Sequence, residues 1–382
     1  SHDAGAHSRA PSMGAHSRAP LQQVFGRFFL PGPTDVHLDV LQAMVRPMFA
    51  HRGPEMIAML QRMEPQLQRL FRTTRPVLMA TSSATGFMEA AVRGGVRERV
   101  LVVDGGFFGD RFARIATRNG KAVVRLPVPL GRALEADDLA RALDEHEVDA
   151  VALVHCETST GTLVPLEELA RVVRARKDTV LLVDAVTSVG GSPVETDAWG
   201  LDFVFAGSQK ALAMPPGISL AVASPAMMER ARAQPEPGWY FDLVLHDEAI
   251  KIHQPTQTPA LPLYLALEAQ LQRIDAEGGV EARWARHRAM LTMMEEWVAA
   301  HPAWEFFAPE GRRAWTVSAL RVPEGTTGRA IAGALLKMGW TIGAGLDEMA
   351  DAMIRIGHMG DLTPAHFAGL LAALSEVVGA GS

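Results

Sequence analysis

The sequence predicts an α/β protein: a seven-stranded, mostly parallel sheet covered by helices, followed by a smaller α+β unit. Three observations carry this. Seven short and nearly continuous apolar runs lie between Val77 and Val222. Helical patterns separate most of them, which is the arrangement of a parallel sheet buried on both faces. After about residue 230 that alternation stops, and longer helices meet fewer strand-like runs.

Taken in order, residues 1–20 contain Gly-Ala-His-Ser-Arg-Ala-Pro twice, at 5–11 and 14–20, on either side of Met13. They read as a flexible polar extension outside the fold. An N-terminal arm covers 21–37, and Pro31-Gly32-Pro33 imposes an irregular path on it. A short helix over 38–44 precedes a longer one over 54–72. Met56, Leu60, Met63, Leu67 and Leu70 fall on one face of the longer helix. The strands are placed at 77–80, 100–103, 122–126, 150–154, 180–183, 203–206 and 218–222. Helices at 87–96, 111–118, 136–146 and 166–176 lie between them. Residues 235–238 form a turn and 253–262 an irregular loop rich in Pro, Thr and Gln. Helices over 263–274 and 280–300 follow, then strand-like 314–322, a helix over 328–338, and strand-like 340–342 and 353–357. A last helix is capped by Thr363 with Pro364 at its first position. The expected units are 21–262, including the arm, and 263–382.

Composition narrows the function. With 382 residues, 48% hydrophobic and 21% charged, the chain can bury a sizeable core. No unbroken apolar run is long enough to cross a bilayer, and no apolar leader follows the first residues. A net charge of −6 argues against a nucleic-acid surface. One cysteine, Cys156, allows neither an internal disulfide nor a cysteine metal cluster. The expected compartment is the reducing cytoplasm, and no metal site is expected.

The candidate chemistry sits at strand ends. Lys210 follows the buried run Phe203-Val204-Phe205-Ala206 and precedes Pro215-Pro216-Gly217. A lysine there either snorkels to the surface or is a desolvated amine suited to Schiff-base chemistry. Asp184 ends another buried run, where an acid points into the ligand crevice of an α/β sheet. An amine and a carboxylate in one crevice suit a cofactor with an aldehyde at one end and a basic nitrogen at the other, the shape of pyridoxal phosphate. Thr81-Ser82-Ser83-Ala84-Thr85-Gly86 precedes a helix and could receive a phosphate, or form a plain N-cap. Gly105-Gly106-Phe107-Phe108-Gly109-Asp110 reads as a loop offering an aromatic ring. Thr158, Ser159 and Thr160 supply hydroxyls after a further strand. Arg355, inside an apolar strand, is either a structural ion-pair partner or a fork for a substrate carboxylate.

From about residue 30 to its end, the chain resembles the class V pyridoxal-phosphate aminotransferases, in particular the alanine–glyoxylate and serine–pyruvate group. The resemblance rests on Pro31-Gly32-Pro33-Thr34, His51-Arg52 and Glu157-Thr158-Ser159-Thr160-Gly161. It rests also on Val183-Asp184-Ala185-Val186-Thr187-Ser188, Gly207-Ser208-Gln209-Lys210-Ala211-Leu212, Thr258-Pro259 and Arg355-Ile356-Gly357. It implies the pyridoxal-phosphate-dependent transferase fold of type I and a transaminase moving an amino group from alanine or serine to glyoxylate or pyruvate. By resemblance, Lys210 would carry the cofactor aldehyde as a Schiff base and Asp184 would pair with the ring nitrogen. Val186 and Phe108 would cover the ring faces, and Thr158 would meet the ring oxygen. Ser83, Ala84, Thr85 and Gln209 would hold the phosphate. Arg355 and Gly32 would bind substrate. Thr258 would serve the cofactor of a partner subunit, which implies a homodimer with shared sites.

Three departures stand out. Phe108 replaces a common tryptophan, Ser82-Ser83-Ala84-Thr85 replaces a glycine-richer loop, and Pro255 stands where a tyrosine is usual. The third bears on the partner-subunit phosphate contact. Two other readings stay open at this stage: a lyase or cysteine desulfurase on the same fold, and a non-catalytic cofactor-binding regulator.

Overall fold

The computed structural model describes residues 24–379, so the duplicated extension over 1–20 lies outside the described residues. The arm begins with a short strand, β1 (Phe28–Phe29). Two helices follow, α1 (Leu38–Ala43) and α2 (Pro54–Phe71). Proline fits the start of α2, where its missing N–H is not needed, and Arg72 ends the helix in the left-handed region at φ +54°.

The alternating region runs β2 (Leu78–Ala80), α3 (Thr85–Gly95), β3 (Arg99–Asp104), α4 (Phe107–Arg118), β4 (Ala122–Pro127), α5 (Ala136–Glu145) and β5 (Ala150–Val154). A hairpin of β6 (Cys156–Glu157) and β7 (Thr162–Leu163) interrupts it. Then come α6 (Leu166–Arg174), β8 (Val180–Asp184), β9 (Phe203–Gly207) and β10 (Ser219–Ala223). The seven expected strands form one sheet in the order β2-β10-β9-β8-β5-β3-β4. Only β10 runs antiparallel to its neighbours. Residues at alternate positions of the central strands enter opposite cores. Leu181 and Val183 pack with α2 and α6 residues, whereas Val180 and Leu182 pack with α3, including Phe87 and Val92. Both faces are apolar, which is why these strands read as continuous hydrophobic runs.

Two helices in the following stretch were not foreseen, α7 (Pro225–Ala233) and α8 (Leu243–Lys251). Ser224 Oγ caps α7 by accepting from the Met227 N–H at 3.1 Å, and Asp242 caps α8. The buried face of α8 is Leu243, His246 and Asp247, so it leaves no hydrophobic period to read. Next come α9 (Leu261–Ala276) and α10 (Val280–Ala300). The rest is β11 (Glu305–Phe306), β12 (Val317–Arg321), α11 (Gly328–Lys337), β13 (Thr341–Ala344), β14 (Met353–Gly357) and α12 (Pro364–Gly379). Thr363 Oγ1 accepts from the His366 N–H at 3.3 Å, the expected cap of α12.

The second sheet has the order β1-β13-β14-β12-β11. Phe28 and Phe29 pair in parallel with Thr341 and Ile342, and Phe29 is wholly buried against Trp340 and Phe367. The arm therefore contributes an edge strand to the smaller sheet before it crosses to the larger one. No helix among the described residues is long and apolar enough to cross a membrane.

Candidate active site

The segment between β9 and β10 is tied into a fixed loop. Ser208 Oγ donates to the Pro215 carbonyl at 2.8 Å and accepts from the Ile218 N–H at 3.3 Å. The Ala213 N–H donates to the Lys210 carbonyl at 2.8 Å, and the fully buried Arg283 donates to the Ala211 carbonyl at 2.9 Å. These bonds fix the backbone on both sides of Lys210, which is only 7% exposed. Burial lowers its amine to about 8, because an ammonium loses hydration there.

The arm closes over this loop. The Lys210 ammonium donates to the Pro31 carbonyl. The Thr34 N–H donates to the Gln209 carbonyl at 3.0 Å, and Thr34 Oγ1 to the Lys210 carbonyl at 3.1 Å. Gly32 has φ +128°, and a Cβ there would lie 2.6 Å from Lys210 Cε. The position admits only glycine without displacing the lysine.

A cavity of about 190 Å³ opens beside Lys210 at the carboxyl ends of β5, β8 and β9. Asp184, the last residue of β8, lies in its wall and is 4% exposed. One carboxyl oxygen accepts from the Val186 N–H at 3.0 Å, and the other takes no hydrogen bond among the described residues. Burial pushes this carboxyl up to about 7, and a cation placed beside it would favour the ionised form. Val186 lines the cavity beside it, as do Thr158 and Thr187, whose hydroxyls lie 2.9 Å apart. Ser83, Ala84 and Thr85 line the end of the cavity where α3 begins. A helix start carries N–H groups without helical partners and favours an anion. Gln209 joins them, and the bare Gly207 leaves room for its amide: a Cβ at Gly207 would lie 2.6 Å from Gln209 Oε1. One cavity thus offers an amine, an acid and neutral anion-binding donors at separate positions.

Phe108 also lines the cavity, but not from a loop as expected. It stands in the first turn of α4. The cause is Glu157, whose buried carboxylate accepts from the Phe108 N–H at 3.1 Å and also meets the Gly109 N–H. Ser159 Oγ donates to the same carboxylate at 2.6 Å, and Thr160 pairs with Thr162. Of the three consecutive hydroxyls, only Thr158 reaches the cavity.

Nine of the expected residues thus share one cavity wall. Gly32 sits against Lys210 instead. Arg355, on β14, donates through Nε to the Ala344 carbonyl at 2.9 Å, and its charge acts on Lys210 from outside the cavity lining. Thr258 is exposed and does not line the cavity.

The aminotransferase class-V family pattern matches residues 39–357. The chain belongs to the class-V aminotransferase family. Two relatives and one solved structure illustrate the similarity. The L-aspartate–glyoxylate aminotransferase of Paracoccus denitrificans is 32% identical, over 88% of this chain and 87% of the relative. The small subunit of a soluble hydrogenase from a Synechococcus strain is 32% identical, over 91% of this chain and 92% of its own length. The crystal structure of an alanine–glyoxylate aminotransferase from Nostoc superposes with a TM-score of 0.87 at 31% identity, over 92% of this chain and 95% of that one.

This class-V aminotransferase has cavity residues that motif reading passed over, including Met88, Phe205 and Arg111. Arg111 follows Phe108 by three positions on α4, a spacing that puts two helical residues on one face. That signal was available once α4 was known to start at Phe107. Cys156 lines the cavity too, but it is 3% exposed and burial pushes its thiol up to about 12. A thiol held protonated in a sealed wall is not the mobile nucleophile that desulfuration needs.

Proposed function

We propose that this aminotransferase uses pyridoxal phosphate to move an amino group from a small amino acid, alanine or serine, to a 2-oxo acid such as glyoxylate or pyruvate. The observation that carries the reading is one cavity that holds a desolvated amine, Lys210, the buried Asp184 with one oxygen free of hydrogen bonds among the described residues, and neutral anion-binding groups. Bound there, the cofactor supplies an electron-withdrawing ring that stabilises negative charge at the substrate α-carbon.

The chain's own residues do the rest. Asp184 would pair with the protonated ring nitrogen, a cation that favours its ionised form. Ser83, Ala84, Thr85 and Gln209 would hold the phosphate, with Phe108 and Val186 beside the ring. Thr158 would meet the ring oxygen. Lys210 would hold the aldehyde end of the cofactor, and its Nζ, a desolvated amine, would serve as the base for the substrate α-proton. Arg355 orients the substrate carboxylate, with Gly32 behind it. Donor and acceptor share one site, so turnover is ping-pong.

The glyoxylate acceptor is suggested by the names of the Paracoccus and Nostoc relatives. Residues 21–262 act as the cofactor-binding unit, and 263–382 carry Arg355. The exposed Thr258 serves the phosphate site of a second subunit in a homodimer, which light scattering of the purified protein tests. The central experiment adds pyridoxal phosphate, records the visible absorbance and traps the adduct with borohydride. The modified peptide should contain Lys210, and alanine or serine should bleach the band. A protein that gains no visible band and no adduct at Lys210 overturns the reading.

A further inference from the structure

The anion end of the cavity presents a charge problem. Ser83, Ala84, Thr85 and Gln209 are all neutral, whereas a phosphate monoester carries nearly two negative charges near neutral pH. A helix N-terminus offers only about half a positive charge. Three charged side chains line the cavity, Arg111, Asp184 and Lys210. Lys210 is engaged with Pro31, and Asp184 has the wrong sign.

Arg111 is placed differently. Its guanidinium lies 5.0 Å from the Phe108 ring centroid and 5.1 Å from that of Phe107. It reaches past both rings to Thr85, with Nη1 3.5 Å from Thr85 Oγ1. It forms no ion pair among the described residues. Its neighbour Asp110 is already engaged by Arg114 and Arg125. A half-buried arginine in a cavity wall, held by aromatic faces and lacking a carboxylate, has donors left for an anion.

We propose that Arg111 is the cationic ligand of the cofactor's phosphate group, reaching it across Thr85 while the two phenylalanines fix the guanidinium plane. The proposal rests on the pyridoxal-phosphate reading above. It separates Arg111 from Phe108, which acts on the ring, and from Thr258, which serves the site of a second subunit.

The test compares binding of pyridoxal phosphate with binding of pyridoxal, which has the same ring and aldehyde but no phosphate. Dissociation constants come from absorbance titration of the cofactor-free protein. In Arg111→Gln, pyridoxal phosphate should bind about 10- to 100-fold more weakly, the weight of one charge-assisted hydrogen bond. Pyridoxal binding should be unchanged. Arg111→Lys, which keeps the charge and loses the fork, should recover part of the loss and provides the reading if the glutamine variant fails to fold. Phe108→Leu should weaken both ligands alike. If Arg111→Gln weakens both equally, the arginine acts through Phe108 and the proposal fails. If it weakens neither, the proposal fails as well. A wild-type protein that binds neither ligand would instead overturn the cofactor reading.

Discussion

Lys210 and Gly32 are fitted to each other at atomic distance. The lysine amine is directed to the Pro31 carbonyl, and the next residue has no side chain where Lys210 Cε passes. Gly32→Ala adds one methyl group 2.6 Å from that carbon, at a φ of +128° that alanine resists. Backbone strain of this kind costs about 1–3 kcal/mol. The methyl also drives the amine from its position. Attachment of pyridoxal phosphate at Lys210 should therefore slow by about tenfold or more, while circular dichroism keeps the wild-type signature. Attachment at the wild-type rate would show that the arm does not position the lysine.

At the scale of elements, the first turn of α4 is built by a residue from another segment. Glu157, on β6, accepts from N–H groups of Phe108 and Gly109 and is itself held by Ser159. Gly106 permits this contact, since a Cβ there would lie 2.5 Å from Glu157 Cγ. Glu157→Ala leaves buried donors unsatisfied and should cost about 1–3 kcal/mol in urea unfolding. Glu157→Gln, which can still accept, should lose less. Equal losses would mean that the carboxylate is not what holds the helix start. The same contact explains what sequence reading could and could not reach. The seven strands were legible because each is buried on both faces, and the residues at their carboxyl ends were legible with them. Lys210, Asp184 and Thr158 all follow from strand ends. The start of α4 was not legible, because its cap comes from a residue far along the chain. Arg111 was lost with it. Nor was α8, whose buried face includes His246 and Asp247.

The whole molecule carries a pH dependence written in its buried histidines. Burial lowers His155 to about 3 and His358 to about 4, and His287 is also depressed. For His358 the unfolded chain takes up a proton near the ordinary 6.5, and the folded chain does so only near 4. Its contribution to stability is present above 6.5 and is lost as pH falls toward 4. Asp184 works in the opposite direction, since its raised carboxyl favours the fold most at low pH and less as pH rises through about 7. His358→Gln keeps a partner for Ser318 Oγ, which lies 2.8 Å from His358 Nε2. It should flatten the pH dependence of unfolding free energy below 6.5 by up to about 1.4 kcal/mol per pH unit, the weight of one proton. An unchanged slope would mean that His358 is not neutral in the fold.

The route of the arm has a consequence for how the protein is made. β1 leaves the ribosome well before β13, which emerges only after the whole larger sheet. Until then Phe29 has no pocket to enter, although Thr34 can already bond the Gln209 and Lys210 carbonyls. A nascent chain stalled short of β13 would already possess every residue that lines the cavity. Its arm would still lack the strand pairing that anchors Phe28 and Phe29. Vectorial synthesis thus leaves the anchoring of the arm's first strand to a segment translated long after the cavity residues.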